Sequence, residues 1–249
     1  MYNFIHDEKE VNNFFSILSP LKRDEVYFIS LSARNKYLSK EEREYYNLGR
    51  TEMFSRKLIR QDRHIKSIKS LETNDGSYLT KNGLDIPSKC IIVYANINPS
   101  SGIKAYKMFQ ETTMNDVFQS MENPDIMNNF SKLDVKLMNC FQKSTGTKTL
   151  IDIDFDIPEK GKSILYDFIN VIKNHNAEYY VIDTHSGYHV LLKKETIKFN
   201  YTEYVNIAND IAQETFGNNN VEVVVNKNAM VPIPGTFQGE YKVKFIKVK

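Results

Sequence analysis

The stretch TLIDIDFDIPEK, residues 149–160, combines a hydrophobic strand pattern with a row of acids. Three apolar residues and three aspartates alternate in it: Ile151, Asp152, Ile153, Asp154, Phe155 and Asp156. Because side chains alternate across a strand, the pattern predicts one apolar face and one acidic face. Neighbouring carboxylates repel each other, so a divalent metal bound by oxygen ligands is the expected compensation. One alternative is a surface strand with solvated acids. The other is a calcium-binding loop, which the alternating Ile and Phe disfavour.

The segments after this strand predict a βαββαβ unit. They are a helix at 161–175, a strand at 177–184, a tight turn at 185–187, a strand at 188–194, a helix at 201–217 and a strand at 220–226. This order is typical of ferredoxin-like and RNA-recognition-type sheets. In such sheets the first and third strands are central and the fourth lies beside the first. We therefore expect the aspartates, His189 and Glu222 on one face of adjacent strands.

The first half of the chain has a more helical pattern. Predicted helices cover residues 10–18, 40–71 and 115–141, and one strand covers 89–97. The turn NPSSG follows that strand, and Ser100 or Ser101 in it is expected to cap the next helix. The expected fold class is α+β, with a mainly helical region at 1–145 packed against an RRM-like catalytic core at 146–249.

Composition narrows the class of protein without identifying a partner. Hydrophobic content of 41%, with 15 Phe and 15 Tyr, predicts a packed core rather than a disordered chain. The net charge of +2 is close to neutral. Two cysteines are too few for a zinc cluster and fit a reduced interior. No signal peptide and no membrane-length apolar run is visible. We expect a cytoplasmic protein without a membrane partner.

Two further motifs follow the acidic strand. In HSGYH (185–189), Ser186 and Gly187 can offer a hydroxyl and a backbone N–H to a phosphate, with His189 just beyond. The alternative is an ordinary hairpin whose histidine is satisfied by a neighbour. In PGTFQG (234–239), proline and glycine predict a stiff loop before a basic terminal strand. Taken alone, this motif is only a loop before an edge strand.

The three motifs, in this order, resemble the archaeo-eukaryotic primase superfamily of primase small subunits and primase-polymerases. In that family a hydrophobic strand carries Asp-x-Asp, which Asp152 and Asp154 match. A small residue, any residue and His form the second motif, matched by residues 187–189. A Pro-Gly-Ser/Thr loop forms the third, matched by residues 234–239. The resemblance covers roughly residues 145–245, and in its general style the first half is similar to phage-type members.

The resemblance implies a metal-dependent DNA primase or primase-polymerase, a nucleotidyltransferase that synthesises or extends primers on single-stranded DNA. Its expected cofactor is Mg²⁺ or Mn²⁺, its substrates are NTPs or dNTPs, and a replicative helicase is among the expected partners. The implied metal ligands are Asp152, Asp154 and Glu222, with His189 as a further catalytic residue. The implied nucleotide contacts are Ser186, Gly187, His189, Lys227 and Lys242. Asp156 is not expected to be a ligand.

The sequence departs from the family pattern around the third motif. The third acid of the family is usually Asp, so Glu222 is the best candidate and Asn226 the alternative. Pro232 stands where a basic residue is frequent, and Gln238 stands where a His is frequent. These substitutions are the reason for assigning nucleotide contacts to Lys227 or Lys242.

A basic segment supplies a candidate surface for the template. Between Arg50 and Lys69, seven basic residues stand against two acidic ones, and Arg56, Arg60 and Arg63 are the expected contacts. The alternative is a solvated helix face.

Two other functions remain open at this point. One is a rolling-circle replication nuclease, although His185 and His189 are spaced too widely for its usual motif; the other is a non-catalytic nucleic-acid-binding module.

Overall fold

The computed structural model describes residues 2–72, 77–123, 130, 132–156, 162–198, 200–216, 222–226 and 229–247. Within these residues the protein is α+β, with seven α-helices and two antiparallel sheets. The helices are α1 Glu8–Ile17, α2 Lys40–Tyr46, α3 His64–Lys69, α4 Gly102–Glu122, α5 Leu133–Lys143, α6 Lys162–Asn174 and α7 Tyr201–Phe216. The strands are β1 Glu25–Arg34, β2 Thr51–Ile59, β3 Ile91–Asn96, β4 Ser100–Ser101, β5 Leu150–Asp156, β6 Tyr179–Asp183, β7 Gly187–Lys193, β8 Glu222–Asn226, β9 Met230–Pro232, β10 Phe237–Gln238, β11 Tyr241–Lys242 and β12 Lys244–Ile246.

The second sheet contains the acidic strand. Its order is β12-β6-β7-β5-β8, so β5 and β7 are central and β8 lies beside β5, as expected from the sequence. Ile153 and Phe155 of β5 are buried in a cluster with Phe168 of α6 and Ala208 of α7. Both helices therefore cover the apolar face of β5, which confirms the predicted alternation and the predicted order of elements along the chain.

The first sheet corrects the expectation of a mainly helical first half. Its order is β11-β10-β3-β1-β2, with β4 on β1 and β9 on β3. The single helix predicted at 40–71 is wrong, because α2 and α3 flank strand β2. The composition of β2, TEMFSRKLI, favours a helix, but backbone pairing with β1 decides the structure. As an edge strand, β2 is largely half-exposed and gives a weak hydrophobic signal.

The two sheets share chain segments and a core. Residues 230–242, which lie beyond the expected boundary at 145, contribute β9, β10 and β11 to the first sheet. Strand β12 then returns to the second sheet beside β6. Leu31 and Val93 of the first sheet share one buried cluster with Ile182 and Leu191 of the second. One face of the second sheet is therefore closed in part by the first.

Several smaller expectations can be compared with the structure. Ser101 caps α4, since its Oγ accepts a hydrogen bond from the Lys104 backbone N–H at 3.3 Å. Cys90 and Cys140 are both buried and carry free thiols. In the part of the chain that the structure describes, every helix is too short or too polar to cross a membrane.

Candidate functional site

The three aspartates of β5 occupy one face but differ in exposure. Asp152 is 0% exposed, Asp154 is partly buried and Asp156 is exposed. Directly opposite Asp152 on β7 is Leu191, a member of the core that joins the two sheets. The expectation of an open acidic face is therefore wrong at the Asp152 end and holds only towards Asp156. The row runs from the core to the surface.

His189 lies within this row and is 8% exposed. It stands directly opposite Asp154 on β5. Its Nδ1 is 3.0 and 3.1 Å from the two oxygens of Asp152 and 3.7 Å from Oδ1 of Asp154. Burial lowers the pKa of His189, but the charge and hydrogen bond of Asp152, followed by the charges of Asp154 and Asp156, outweigh it and raise the pKa to about 9. At neutral pH the imidazole is therefore a cation that donates to Asp152.

Asp154 is the residue of the row whose ionised form is disfavoured by its surroundings. Burial raises the pKa of Asp154 to about 6; His189 opposes the shift, Asp152 and Asp156 add to it, and Lys36 opposes it. Ionised Asp154 is thus less stable in the folded protein than in water. His189 and Lys36 are the two cations whose charge acts on Asp154, against the three carboxylates of the row. This leaves negative charge at Asp154 that a divalent cation can neutralise.

The predicted third ligand can be placed by backbone register. Glu222 on β8 stands opposite Asp156, and Asn226 stands opposite Asp152. The structure describes these two residues by their backbone alone, and Lys227 lies outside the described residues. Among the described residues, no three His, Cys, Asp or Glu side chains converge as a metal-binding group. The donor chemistry of Asp152 and Asp154 nevertheless fits Mg²⁺ or Mn²⁺, hard ions that prefer carboxylate oxygens.

The hairpin between β6 and β7 brings Ser186 and Gly187 to the exposed end of the row. Gly187 pairs with Asp156, and the two backbones approach closely. A Cβ built on Gly187 would lie 1.7 Å from the carbonyl oxygen of Phe155, which no real side chain allows. Only glycine fits there, because the β-carbon of any other residue would displace β5. The side chain of Ser186 accepts a hydrogen bond from Lys36 Nζ at 2.8 Å.

The loop at 234–239 supports the hairpin. Gly235 and Gly239 both have positive φ angles, of 89° and 67°. Between them, Gln238 accepts a hydrogen bond from the His185 backbone N–H at 2.8 Å and donates one to the Tyr37 hydroxyl at 2.9 Å. Gln238 therefore fixes the hairpin against the first sheet.

Sequence reasoning missed the residues that the first sheet contributes. Arg34 and Lys36 lie at the end of β1 and in the 3-10 turn that follows, and Tyr94 lies on β3. The charges of Asp154 and Asp156 act on Lys36 and on the Tyr94 hydroxyl, so these groups are close to the acidic row. No local motif marks them, since well over a hundred residues separate Lys36 from β5 in the sequence. By contrast, the predicted nucleotide contact Lys242 is exposed on β11, where its charge acts on His6.

The basic segment does not form the predicted helix face. Arg56 lies on β2 and donates hydrogen bonds to Asn139 and to the Val135 carbonyl of α5. Arg60 and Arg63 are exposed, at the end of β2 and in the following turn. Arg56 is thus held in a contact within the protein, and Arg60 and Arg63 remain the accessible members of the predicted template surface.

The comparisons with known proteins add no family assignment. No family model matches the chain, and neither a curated protein nor a solved structure shows significant similarity to it.

Proposed function

We propose that the protein is a metal-dependent nucleotidyltransferase of the primase or primase-polymerase type, acting on single-stranded DNA. The observation that carries the proposal is the acidic row of β5 with His189 seated in it. Asp152 and Asp154 share a face with a buried histidine from the neighbouring strand, at 3.0 and 3.7 Å. Strand order β8-β5-β7-β6, with two helices on the opposite face, supports an RRM-like sheet as the scaffold.

The three aspartates on one face of β5 are unfavourably placed, and this is the physical reason for interpreting them as a functional site rather than as part of the core. A strand that served only the core would not need three aspartates on one face. Burial raises the pKa of Asp154 to about 6, so keeping this carboxylate ionised costs folding free energy. Carboxylates whose pKa is perturbed by burial together with specific charged partners are typical of sites that bind or catalyse. The cost is offset when a divalent cation is bound.

Each residue has a defined task in this proposal. Asp152 and Asp154 would hold Mg²⁺ or Mn²⁺, which when bound supplies positive charge to the reacting phosphate and to the leaving pyrophosphate. His189 orients Asp152 through its Nδ1–H. Ser186 lies at the exposed end of the row, where its hydroxyl can meet a phosphate oxygen. The reaction is attack of a primer or nucleotide 3′-hydroxyl on the α-phosphate, with pyrophosphate leaving.

The direct test is primer synthesis by the full chain on single-stranded DNA with NTPs or dNTPs and Mg²⁺ or Mn²⁺. We expect Asp154→Asn and Asp152→Asn each to reduce product at least about 100-fold, since loss of even an indirect metal contact costs roughly 10–100-fold. Asp167→Asn is the matched control, because Asp167 is exposed on α6, on the far side of the sheet. Unchanged product in both site variants would refute the assignment.

A non-catalytic nucleic-acid-binding module is the second candidate. It is favoured by the state of Asp152, which is 0% exposed and engaged with His189 rather than open to a ligand. The same assay separates the two, because a module binds single-stranded DNA without forming product in either metal. Cleavage of the labelled DNA instead of synthesis would indicate the nuclease. The two histidines compared with the nuclease motif have different surroundings. The His185 ring lies against Tyr37 and Tyr241, whereas His189 is paired with Asp152.

A further inference from the structure

The first sheet places a cationic group opposite the exposed end of the acidic row. Lys36 lies in the turn after β1, and its Nζ donates to the hydroxyl of Ser186 on the second-sheet hairpin at 2.8 Å. Among the described residues, no carboxylate lies within 4 Å of this ammonium group. Lys36 therefore spans the two sheets without being neutralised by a direct ion pair.

Three cations from the first half of the chain lie close together here. Partial burial lowers the pKa of Lys36; Asp156 opposes this shift, Arg34 adds to it, Asp154 opposes it and Arg50 adds to it. Lys36 is thus close to charges of both signs, those of Asp154 and Asp156 and those of Arg34 and Arg50. A ligand that fits between them must present anionic oxygens to Lys36 and compensated charge to the aspartates.

Arg34 carries a second, independent indication of a missing partner. Its guanidinium donates to the Tyr94 hydroxyl at 3.2 Å through Nη1. Its Nε is buried and has no hydrogen-bond partner in the described part of the chain. Buried polar groups are nearly always hydrogen-bonded, because an unmet donor loses its water without replacement. A planar guanidinium with a free donor is suited to phosphate oxygens.

We propose that Arg34 and Lys36 form an anion subsite for the polyphosphate tail of a nucleotide whose reacting phosphate lies at the open part of the acidic row, beside Asp154. The inference rests on the proposed function and assigns the substrate tail to the first sheet. A polyphosphate with a bound divalent cation suits the charge pattern, since the cation faces the carboxylates and the outer oxygens face Arg34 and Lys36. A template strand without metal would meet repulsion from the acidic row.

The subsite can be tested by binding of inorganic tripolyphosphate with Mg²⁺, measured by calorimetry on the full chain. We expect Lys36→Met to weaken binding about tenfold or more, as befits loss of a charge-assisted hydrogen bond. Arg34→Lys, which keeps the charge but loses the planar fork, should weaken it to a smaller degree. Lys107→Met is the control, because Lys107 is an exposed lysine of α4. Lys36 lies in a surface turn outside the buried core, so its variant is expected to fold, and its unfolding midpoint checks this.

Two further readouts separate this inference from its alternatives. Binding of a single-stranded oligonucleotide without metal should be unchanged in Lys36→Met; loss there, with tripolyphosphate binding retained, would overturn the subsite and indicate a template contact. In primer synthesis, Lys36→Met should raise the KM for the nucleotide about tenfold with little change in kcat. If the wild type makes product and Lys36→Met changes neither binding nor KM, the subsite is wrong and the proposed function stands. If the wild type makes no product, the proposed function fails whatever the binding shows.

Discussion

Among the described residues, the most deeply buried carboxylate of the first sheet is Glu25 and that of the second is Asp152, and their partners differ. Glu25 of β1 is 3% exposed and accepts hydrogen bonds from the backbone N–H of Lys22 and from the backbone and hydroxyl of Thr147, at 2.7 to 3.0 Å. Asp152 of β5 is 0% exposed and faces His189. Neutral backbone and hydroxyl donors bind the Glu25 carboxylate, whereas the titratable side chain of His189 binds the Asp152 carboxylate.

The difference in partners shows which buried carboxylate stabilises the fold when it is ionised. Burial raises the pKa of Glu25, but its hydrogen bonds to Thr147 and Lys22 outweigh this effect and lower the pKa overall. Ionised Glu25 therefore stabilises the fold and joins the segment after α5 to β1. In the second sheet, Asp154 has a raised pKa and remains costly when ionised. The ionised Glu25 carboxylate is stabilising in the first sheet, whereas the ionised Asp154 carboxylate is held at a cost in the second.

The largest effect is expected from breaking the Asp152–His189 pair. His189→Ala leaves a buried carboxylate without this cation, and we expect the free energy of unfolding to fall by about 3–5 kcal/mol. Urea unfolding at pH 7 in a chelator measures the loss. Adding Asp152→Asn to His189→Ala should recover part of it, because the remaining group is then neutral. A loss below about 1 kcal/mol would show that the pair is not the main neutralising contact.

The close approach of β5 and β7 predicts the next effect. Gly187→Ala forces a methyl group into the Phe155 carbonyl, so we expect a loss of up to about 3 kcal/mol. Gly49→Ala is the control, since its new Cβ would lie no closer than 3.4 Å to its nearest neighbour, the Glu52 side chain. Equal stability of the two variants in urea unfolding would contradict the close contact.

The pH dependence of stability sharpens the contrast between the sheets. The raised pKa of Asp154, about 6, means that the folded metal-free protein binds this proton more tightly than the unfolded chain. Stability should therefore rise as the pH falls from 7 through 6. Asp154→Asn should stabilise the chelator-treated protein at pH 7 by about 1–2 kcal/mol and reduce the slope of this part of the profile. The remaining slope belongs to His189, whose pKa is raised from 6.5 to about 9 in the folded protein, so that protonation of His189 also favours folding as the pH falls from 7 to 6. Asp167→Asn should change neither the stability nor the slope; a destabilised Asp154→Asn would make Asp154 a structural residue.

Glu25 predicts the opposite slope at lower pH. Because folding lowers its pKa, its stabilisation is complete above the ordinary carboxyl value of 4.5 and is lost as the pH falls through the lowered pKa of the folded state. Glu25→Gln should remove this acid-induced loss, although the variant is less stable at pH 7. Unfolding followed from pH 5 downwards checks the slope, and a parallel decline in wild type and variant would contradict it.

The smallest effect on stability is expected at the exposed basic residues. Arg60→Gln and Arg63→Gln should change the free energy of unfolding by no more than about 0.5 kcal/mol. If these residues contact template phosphates, each should reduce the salt dependence of single-stranded DNA binding by about 0.7 in logarithmic slope. Lys107→Met again serves as the control. An unchanged slope would show that the residues at the end of β2 do not contact the template.

Much of the second sheet could be predicted from the sequence because its signals are local. The alternation around Asp152 and Asp154, the helical spacing of α6 and the turn at 185–187 each lie within one element. Strand β2 could not be predicted in the same way. Its residues are half-exposed, and pairing with β1 overrides a composition that favours a helix.

The sequence by itself determined the order of elements at 149–226 and the row of aspartates with His189 nearby. Only the tertiary structure decided that Asp152 is buried, that Gln238 fixes the hairpin, and that Lys36, with Arg34 beside it, lies near the acids. The physical reason is the range of the interactions. Alternation and turn formation act between neighbours in the chain, whereas burial and charge depend on segments that meet only when both sheets have formed.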